Sequence, residues 1–384
     1  MLLEFGFRNY FSFKEGGVIS FKLPKNCPKN ISKDKDFTNL IGVKGKNASG
    51  KTNILKAVSF VFQFASDSFN TKPDEEIFIQ NFYENDEDTD FYVEFRSRNI
   101  EYRYELTLNK YKVVSETLLR KVKRWSKVIE RHDNEFTLIN EDYKALKHIN
   151  LRSNASFIST AHQYSLSELE NLESVYWFFS SILTNVGFFG LRDSLITTES
   201  IDLISSHYYK NPNILEFVKE IICECDTGVS DIQILTQEEN GKVRHFPIFV
   251  HKVGDRKEFV THHTESSGTK SLFIQLGRYA AITSYGGLLC LDEFDLNLHP
   301  YILPLLLNKF LNEDINVGEG QFLFSTHNNE ILDFLGRYRT IFVDKQNNES
   351  FAYRLDDIPG DILRNDRPIL PVYQEGKIGG IPNI

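Results

Sequence analysis

Gly45 to Thr52 read Gly-Lys-Asn-Ala-Ser-Gly-Lys-Thr, the residue types and spacing of a loop that binds a polyphosphate. Gly45 and Gly50 allow a turn tight enough for successive N–H groups to converge on an anion, with Lys46, Asn47, Ala48 and Ser49 between them. Lys51 is spaced to reach the β- and γ-phosphates, and the Thr52 hydroxyl to ligate Mg²⁺. Phosphate binding alone is not turnover. Far downstream, Leu288-Leu289-Cys290-Leu291-Asp292-Glu293 is an apolar run that ends in two acids. As a buried strand it delivers both carboxylates at one sheet edge, Asp292 for the Mg²⁺ shell and Glu293 as general base toward water. Phe322-Leu323-Phe324-Ser325-Thr326-His327 has the same design and leaves His327 at that edge, in reach of a γ-phosphate. Ser266-Ser267-Gly268 precedes a helix expected to begin near Ser271, so small side chains and a helix N-terminus coincide where an anion would be favoured.

The elements that must position these groups are legible from hydrophobic periodicity. Thr38–Val43 is a short apolar run, expected as a buried strand, and Asn53–Phe62 has helical spacing, so the loop joins a strand to a helix. Leu2–Phe13 alternates and predicts a strand. Phe91–Phe95, Tyr102–Leu108 and Val113–Arg120 predict antiparallel strands, with a hairpin between Val128 and Leu138. Glu84–Asp90 predicts an acidic loop without the spacing or glycine of an EF-hand. From Ser165 to about Glu224 the spacing turns helical without sustained heptads, which predicts a compact insertion. Strands are expected at Ile232–Leu235, Arg244–Val250 and Lys257–His262, then alternating helix and strand from Thr269 to about Tyr353.

The order of these motifs resembles the ABC-type ATPase heads of the SMC, RecF and OLD group. The loop is similar to that group's G-x-N-x-S-G-K-[ST]-N, with Asn47 and Asn53 matching and Ala48 where many members carry glycine. Phe7-Arg8-Asn9-Tyr10-Phe11-Ser12-Phe13 resembles their opening strand, which implies that Arg8 and Asn9 sit near the nucleotide. Phe294–Pro300 resembles the D-loop and implies that Asp295 acts at a dimer interface. Gln163 stands where a glutamine contact to Mg²⁺ or water is implied. Ser266-Ser267-Gly268 departs from the usual Ser-Gly-Gly signature. More narrowly, Asn47–Asn53 and the tail Tyr373–Pro382 resemble the small ATPases of bacterial abortive-infection and phage-defence operons.

The resemblance implies an α/β head with a mixed N-terminal antiparallel lobe, a parallel-sheet P-loop core, and a short helical insertion in place of a coiled coil. The expected divisions are 1–164, 165–230 and 231–384. It also implies ATP and Mg²⁺ as cofactors, with Lys51, Glu293 and His327 catalytic. ATP would be sandwiched in at least a homodimer, the signature of one subunit covering the loop of another. A separate nuclease or toxin effector from the same operon is the implied partner, and a RecF-like DNA-maintenance head is the alternative.

Bulk properties bound the remaining classes. A chain of 384 residues with 41% hydrophobic and 25% charged content can bury a large core. A net charge of −9 argues against a chain that is basic throughout, yet permits a local nucleic-acid groove. Arg120–Lys127 is the candidate patch, and a solvated hairpin face is its preferred reading. The chain opens on a strand pattern, has no apolar run of membrane length, and its four cysteines show no metal or redox spacing, so a cytoplasmic protein without a membrane partner is expected. Arg256 and His262 match a ribonuclease spacing, but on an expected strand, and no second active site is predicted.

Overall fold

The computed structural model describes residues 1–164, 169–192, 198–225, 227–239, 241–295, 298–360 and 362–380. The chain divides into two compact units. The first comprises Met1–Arg192, Gly287–Phe294 and Gln321–Ile384, and the second Asp193–Gly286 and Asp295–Gly320.

The first unit holds two sheets. An antiparallel sheet of seven strands runs, edge to edge, Gly17–Ser20, Leu2–Arg8, Thr89–Ser97, Ile100–Leu108, Val113–Lys121, Trp125–His132 and Glu135–Ile139. A second sheet of six strands has the order Glu349–Arg354, Thr340–Gln346, Leu40–Lys44, Gln321–Ser325, Leu288–Leu291 and Ile182–Thr184. Its pairings are parallel except for the outermost, Thr340–Gln346 with Glu349–Arg354. Leu40–Lys44 is central and buried along its whole length, as a strand covered on both faces must be. Strands on either side of it, and the ends of all three, therefore present loops at one sheet edge.

The helix Lys51–Asp67 buries Ile54, Leu55, Val58, Val61, Phe62 and Ala65 completely, the i, i+3, i+4 pattern of an amphipathic element against a core. One continuous apolar cluster links that helix with strands of both sheets, including Phe5, Phe95, Val43 and Leu323. Phe95 stacks on Phe178 with centroids 4.0 Å apart, and Phe62 meets both Phe178 and Phe179. The high phenylalanine content is thus core material.

Two expectations change. The first strand ends at Arg8 rather than Phe13, because Asn9 and Phe11 take φ of 54° and 49° in a turn closed by Tyr10 and Phe13. Residues 165–230 do not form one helical insertion. Helix Glu170–Ser180 packs into the core of the first unit, and Ile182–Thr184 becomes the edge strand of the parallel sheet. Three residues are too few for alternation to compete with a helical pattern on either side. Ser165 and Leu166, where that segment was expected to start, lie outside the described residues, as do Leu296, Asn297, Ile381 and Pro382.

The second unit combines the helices Thr198–Lys210, Pro212–Glu224, Ser267–Tyr285 and Leu303–Leu311 with an antiparallel sheet of Val229–Glu239, Lys242–Val253 and Arg256–Thr261. Arg256–Thr261 is a strand, as expected, which removes the helical ribonuclease reading of Arg256 and His262. Among the described residues no helix is long and apolar enough to cross a membrane.

Candidate nucleotide site

The glycine-rich loop leaves the central strand at Lys44 and enters the helix at Lys51. A Cβ on Gly45 would lie 2.2 Å from the Val343 carbonyl oxygen, so no other residue fits there. Gly50 has φ 113°, and a Cβ on it would meet Ser350 Oγ at 2.8 Å and the Phe13 ring at 2.9 Å. Ala48 sits at φ 60°, a left-handed conformation costing a residue with a Cβ about 1–2 kcal/mol. Gly50→Ala is expected to abolish detectable nucleotide binding with the fold retained, read by nucleotide titration beside circular dichroism.

The outer side of the loop is pinned by groups far apart in sequence. Ser350 Oγ donates to the Ser49 carbonyl at 2.6 Å and shares a hydrogen bond with Ser12 Oγ at 2.7 Å, and Asn53 Nδ2 donates to Ser12 Oγ at 2.9 Å. Lys46 pairs with Asp344 at 2.8 Å. Burial opposes ionisation of Asp344, but the Lys46 bond and the backbone N–H groups of Lys345 and Gly380 hold its carboxyl below the ordinary value. On the inner side, Lys51 Nζ donates to the carbonyls of Gly45 at 3.0 Å and Lys46 at 3.1 Å. Burial draws the Lys51 pKa down, against the pull of Asp292 and Glu293. Ser49 Oγ is buried without a partner.

The acids stand where the strand ends. Asp292 is buried and accepts from Thr52 Oγ1 at 2.7 Å and from Ser325 Oγ. Asn185 brackets its backbone, accepting from Asp292 N at 2.8 Å and donating to Asp292 O at 2.9 Å. Glu293 has φ 47°, a strained value for a non-glycine residue, and its N–H is held by Ser325 Oγ at 2.9 Å. His327 Nε2 lies 3.6 Å from Glu293 Oε1, their side chains 48% and 42% exposed. Lys51, Thr52, Asp292, Glu293 and His327 thus converge from one helix and the ends of two parallel strands.

These residues fit a nucleotide with Mg²⁺. The loop backbone packs too closely at Gly45 and Gly50 for any Cβ, its buried Ser49 hydroxyl and Lys51 ammonium have no acidic partner within it, and Thr52 with Asp292 pairs a hydroxyl and a carboxylate.

Arg8 and Asn9 engage the acidic loop. Arg8 bonds Glu87 at 2.6 Å and Asp90 at 2.8 Å. Asn9 is buried and donates to Asn85 and to the carbonyls of Glu87 and Asp88, so it organises the acidic loop. From that opening segment it is Ser12 that reaches the phosphate loop. Gln163 is an exposed residue closing helix Phe157–His162, and Asn185 is the amide that engages Asp292. Ser266, Ser267, Gly268 and Asp295 belong to the second unit. The signature helix begins at Ser267, earlier than Ser271, because Ser266 caps it by accepting from Thr269 N at 3.1 Å. The basic cluster is a hairpin neutralised by acids: Arg120 pairs with Asp142, Lys121 with Glu101 and Lys127 with Glu130.

Sequence reading passed over Ser325, Asn185, Ser12 and Ser350. Only Ser325 carried a signal, through its place in Ser-Thr-His. The others are single polar residues whose role exists only across the sheet.

The family model described as "AAA domain, putative AbiEii toxin, Type IV TA system" matches residues 40–333. The chain belongs to this family. The match begins at the P-loop strand and runs past His327, so it contains every group of the converged site. The AbiEii-type chain is therefore an AAA-type ATPase domain, of mixed α/β architecture. No curated protein matches it. Solved structures similar to it include an Smc head bound to the C-winged helix domain of ScpA, 13% identical, with 92% of this chain and 96% of that one covered and a TM-score of 0.49. An SMC head domain from Thermotoga maritima is 15% identical over 92% and 98% of the two chains, with a TM-score of 0.46. An Smc head with an extended coiled coil, bound to a C-terminal domain of ScpA from Pyrococcus furiosus, is 14% identical over 93% and 97%, with a TM-score of 0.42.

Proposed function

We propose that this AbiEii-type ATPase binds and hydrolyses ATP in a cytoplasmic, ATP-dependent homo-oligomer that senses or regulates a separate toxin or nuclease effector in antiphage defence. The observation that carries the composite-site reading is the exposure of Glu293 and His327, 42% and 48%, beside a fully built phosphate loop. A hydrolytic base must act with bulk water excluded, and a second subunit is the cover this reading supplies.

In this reading Lys51 exchanges the carbonyls of Gly45 and Lys46 for β- and γ-phosphate oxygens. Thr52 and Asp292 would hold Mg²⁺, which would supply charge neutralisation to the phosphates. Glu293 accepts a proton from the water that attacks the γ-phosphorus; the bond to the β-phosphate oxygen breaks, giving ADP and phosphate. His327 shares the water with Glu293 and fixes its direction. Ser325 orients both acids, one by donating to Asp292 and the other by accepting from the Glu293 N–H. ATP then holds subunits together and hydrolysis releases them, so the nucleotide state becomes an association state an effector can read.

Native mass measurement with and without ATP tests this. The expected result is a shift to at least a dimer with ATP, lost in Lys51→Ala together with turnover. A chain that stays monomeric in both states overturns the sandwich. Co-expression with the neighbouring gene product tests the effector arm, and toxicity indifferent to Lys51→Ala would sink it.

A further inference from the structure

Beside the helix Lys51–Asp67 lies a cavity of about 500 Å³ whose walls include Tyr10, Phe60, Phe64, Phe78 and Phe188. Phe60 stacks on Phe64 at 5.6 Å, and the rings of Phe78 and Phe188 are in contact at 5.9 Å. Two cations, Lys56 and Arg192, and two carboxylates, Asp67 and Glu76, also line it. Its volume falls within the range of small-ligand sites.

Asn154 adds an observation that aromatic packing does not explain. It lines the cavity and is 2% exposed; its Nδ2 donates to the carbonyls of Lys72 at 2.7 Å and Glu75 at 2.9 Å. Its Oδ1 is buried with no partner, an acceptor that costs free energy until a donor meets it. Flat apolar walls and two cations define complementary chemistry: an aromatic ring and an anion on one small molecule.

We propose that this cavity is a regulatory site for a nucleoside monophosphate, distinct from the phosphate loop. The base stacks on the aromatic walls, and the phosphate lies on Lys56 and Arg192. Asp67 and Glu76 are the acceptors for ribose hydroxyls.

The cavity is wired to the nucleotide acids. Only Val186 separates its wall Gly187–Arg192 from Asn185, the residue with two hydrogen bonds to the Asp292 backbone. Arg192 N donates to the Asn185 carbonyl at 2.7 Å, and Ser59 Oγ donates to the Val186 carbonyl at 3.0 Å, tying that wall to the helix that bears Lys51 and Thr52. A ligand that fixes the wall fixes Asp292. This coupling rests on the ATPase reading; the binding itself does not.

Calorimetric titration of the full chain with adenosine, guanosine and cytidine monophosphates, in a Lys51→Ala background that disables the phosphate loop, separates the two. Saturable binding of at least one is expected, weakened about tenfold by adding Arg192→Gln and by roughly tenfold on adding Phe78→Ala. Arg192 and Phe78 are both exposed, so neither change disturbs the core. Affinity unchanged in both variants overturns the location, and no binding of any of the three overturns the ligand class. With Lys51 intact, the bound monophosphate is expected to change ATP turnover, and Arg192→Gln to weaken that response in step with binding. Turnover indifferent to the ligand overturns the regulatory role.

Discussion

Glu293→Gln is expected to lower steady-state ATP turnover by roughly 10²–10⁴-fold, the usual contribution of a positioned general base. ATP affinity should stay within a few-fold, because phosphate contacts come from the loop and Lys51. The structure makes the expectation specific to this acid. Asp292 is buried and both its oxygens are engaged by Thr52 and Ser325, whereas the Glu293 carboxyl has His327 at 3.6 Å and otherwise faces solvent. Glutamine keeps the shape but accepts no proton from water. Single-turnover hydrolysis beside an equilibrium binding assay decides it. A variant that turns over at the parent rate removes Glu293 as base. ATP-dependent association should persist or strengthen in this variant, since release requires hydrolysis, in contrast to Lys51→Ala.

The second large effect is on stability. Arg131 is fully buried, pairs with Glu116 at 3.1 Å, and donates to the carbonyls of Asp133, Arg152 and Ala155. Glu116, also fully buried, accepts from Tyr104, Ser156 and the Phe157 N–H. Burial pushes the Glu116 carboxyl above its ordinary value, and the Arg131 guanidinium opposes that rise. Arg131→Ala leaves an uncompensated buried carboxylate, so a loss of about 3–5 kcal/mol is expected. The sign with pH follows. Without Arg131 the folded state holds the Glu116 proton more tightly than the unfolded state, so stability falls as pH rises from the unfolded pKa through the folded one. Denaturant midpoints of the variant should therefore be lower near pH 8 than near pH 5, relative to the parent. A variant within about 1 kcal/mol of the parent at both would show that the network relaxes around the gap.

How much of this was visible beforehand depends on what kind of signal each element leaves. The strand–loop–helix of Leu40–Asp67 and the acid-ended strand were legible because buried parallel strands read as continuous apolar runs, and because glycine and lysine spacing is imposed by local backbone geometry. The antiparallel strands from Thr89 to Ile139 were legible through alternation. Edge strand Ile182–Thr184 was not, since it is too short to carry a period and follows a helix. The turn at Asn9–Phe13 carries strand-like aromatics, so spacing alone could not show that Asn9 binds the acidic loop while Ser12 reaches Asn53.

The sequence by itself determined that this chain has a polyphosphate loop at Gly45–Thr52, two acids at the end of a buried strand and a histidine at the end of another. Each of those is a local fact, set by which residue types a tight turn or a covered strand tolerates. Only the tertiary structure decided which polar groups hold them. Ser325 joins Asp292 to Glu293, Asn185 fixes the Asp292 backbone, and Ser350 with Ser12 clamps the loop from strands and turns up to 338 residues apart in sequence. The reason is physical: a hydrogen bond constrains two atoms within about 3 Å of each other, and nothing in a linear order of residues encodes that proximity until the sheet has set its strand order.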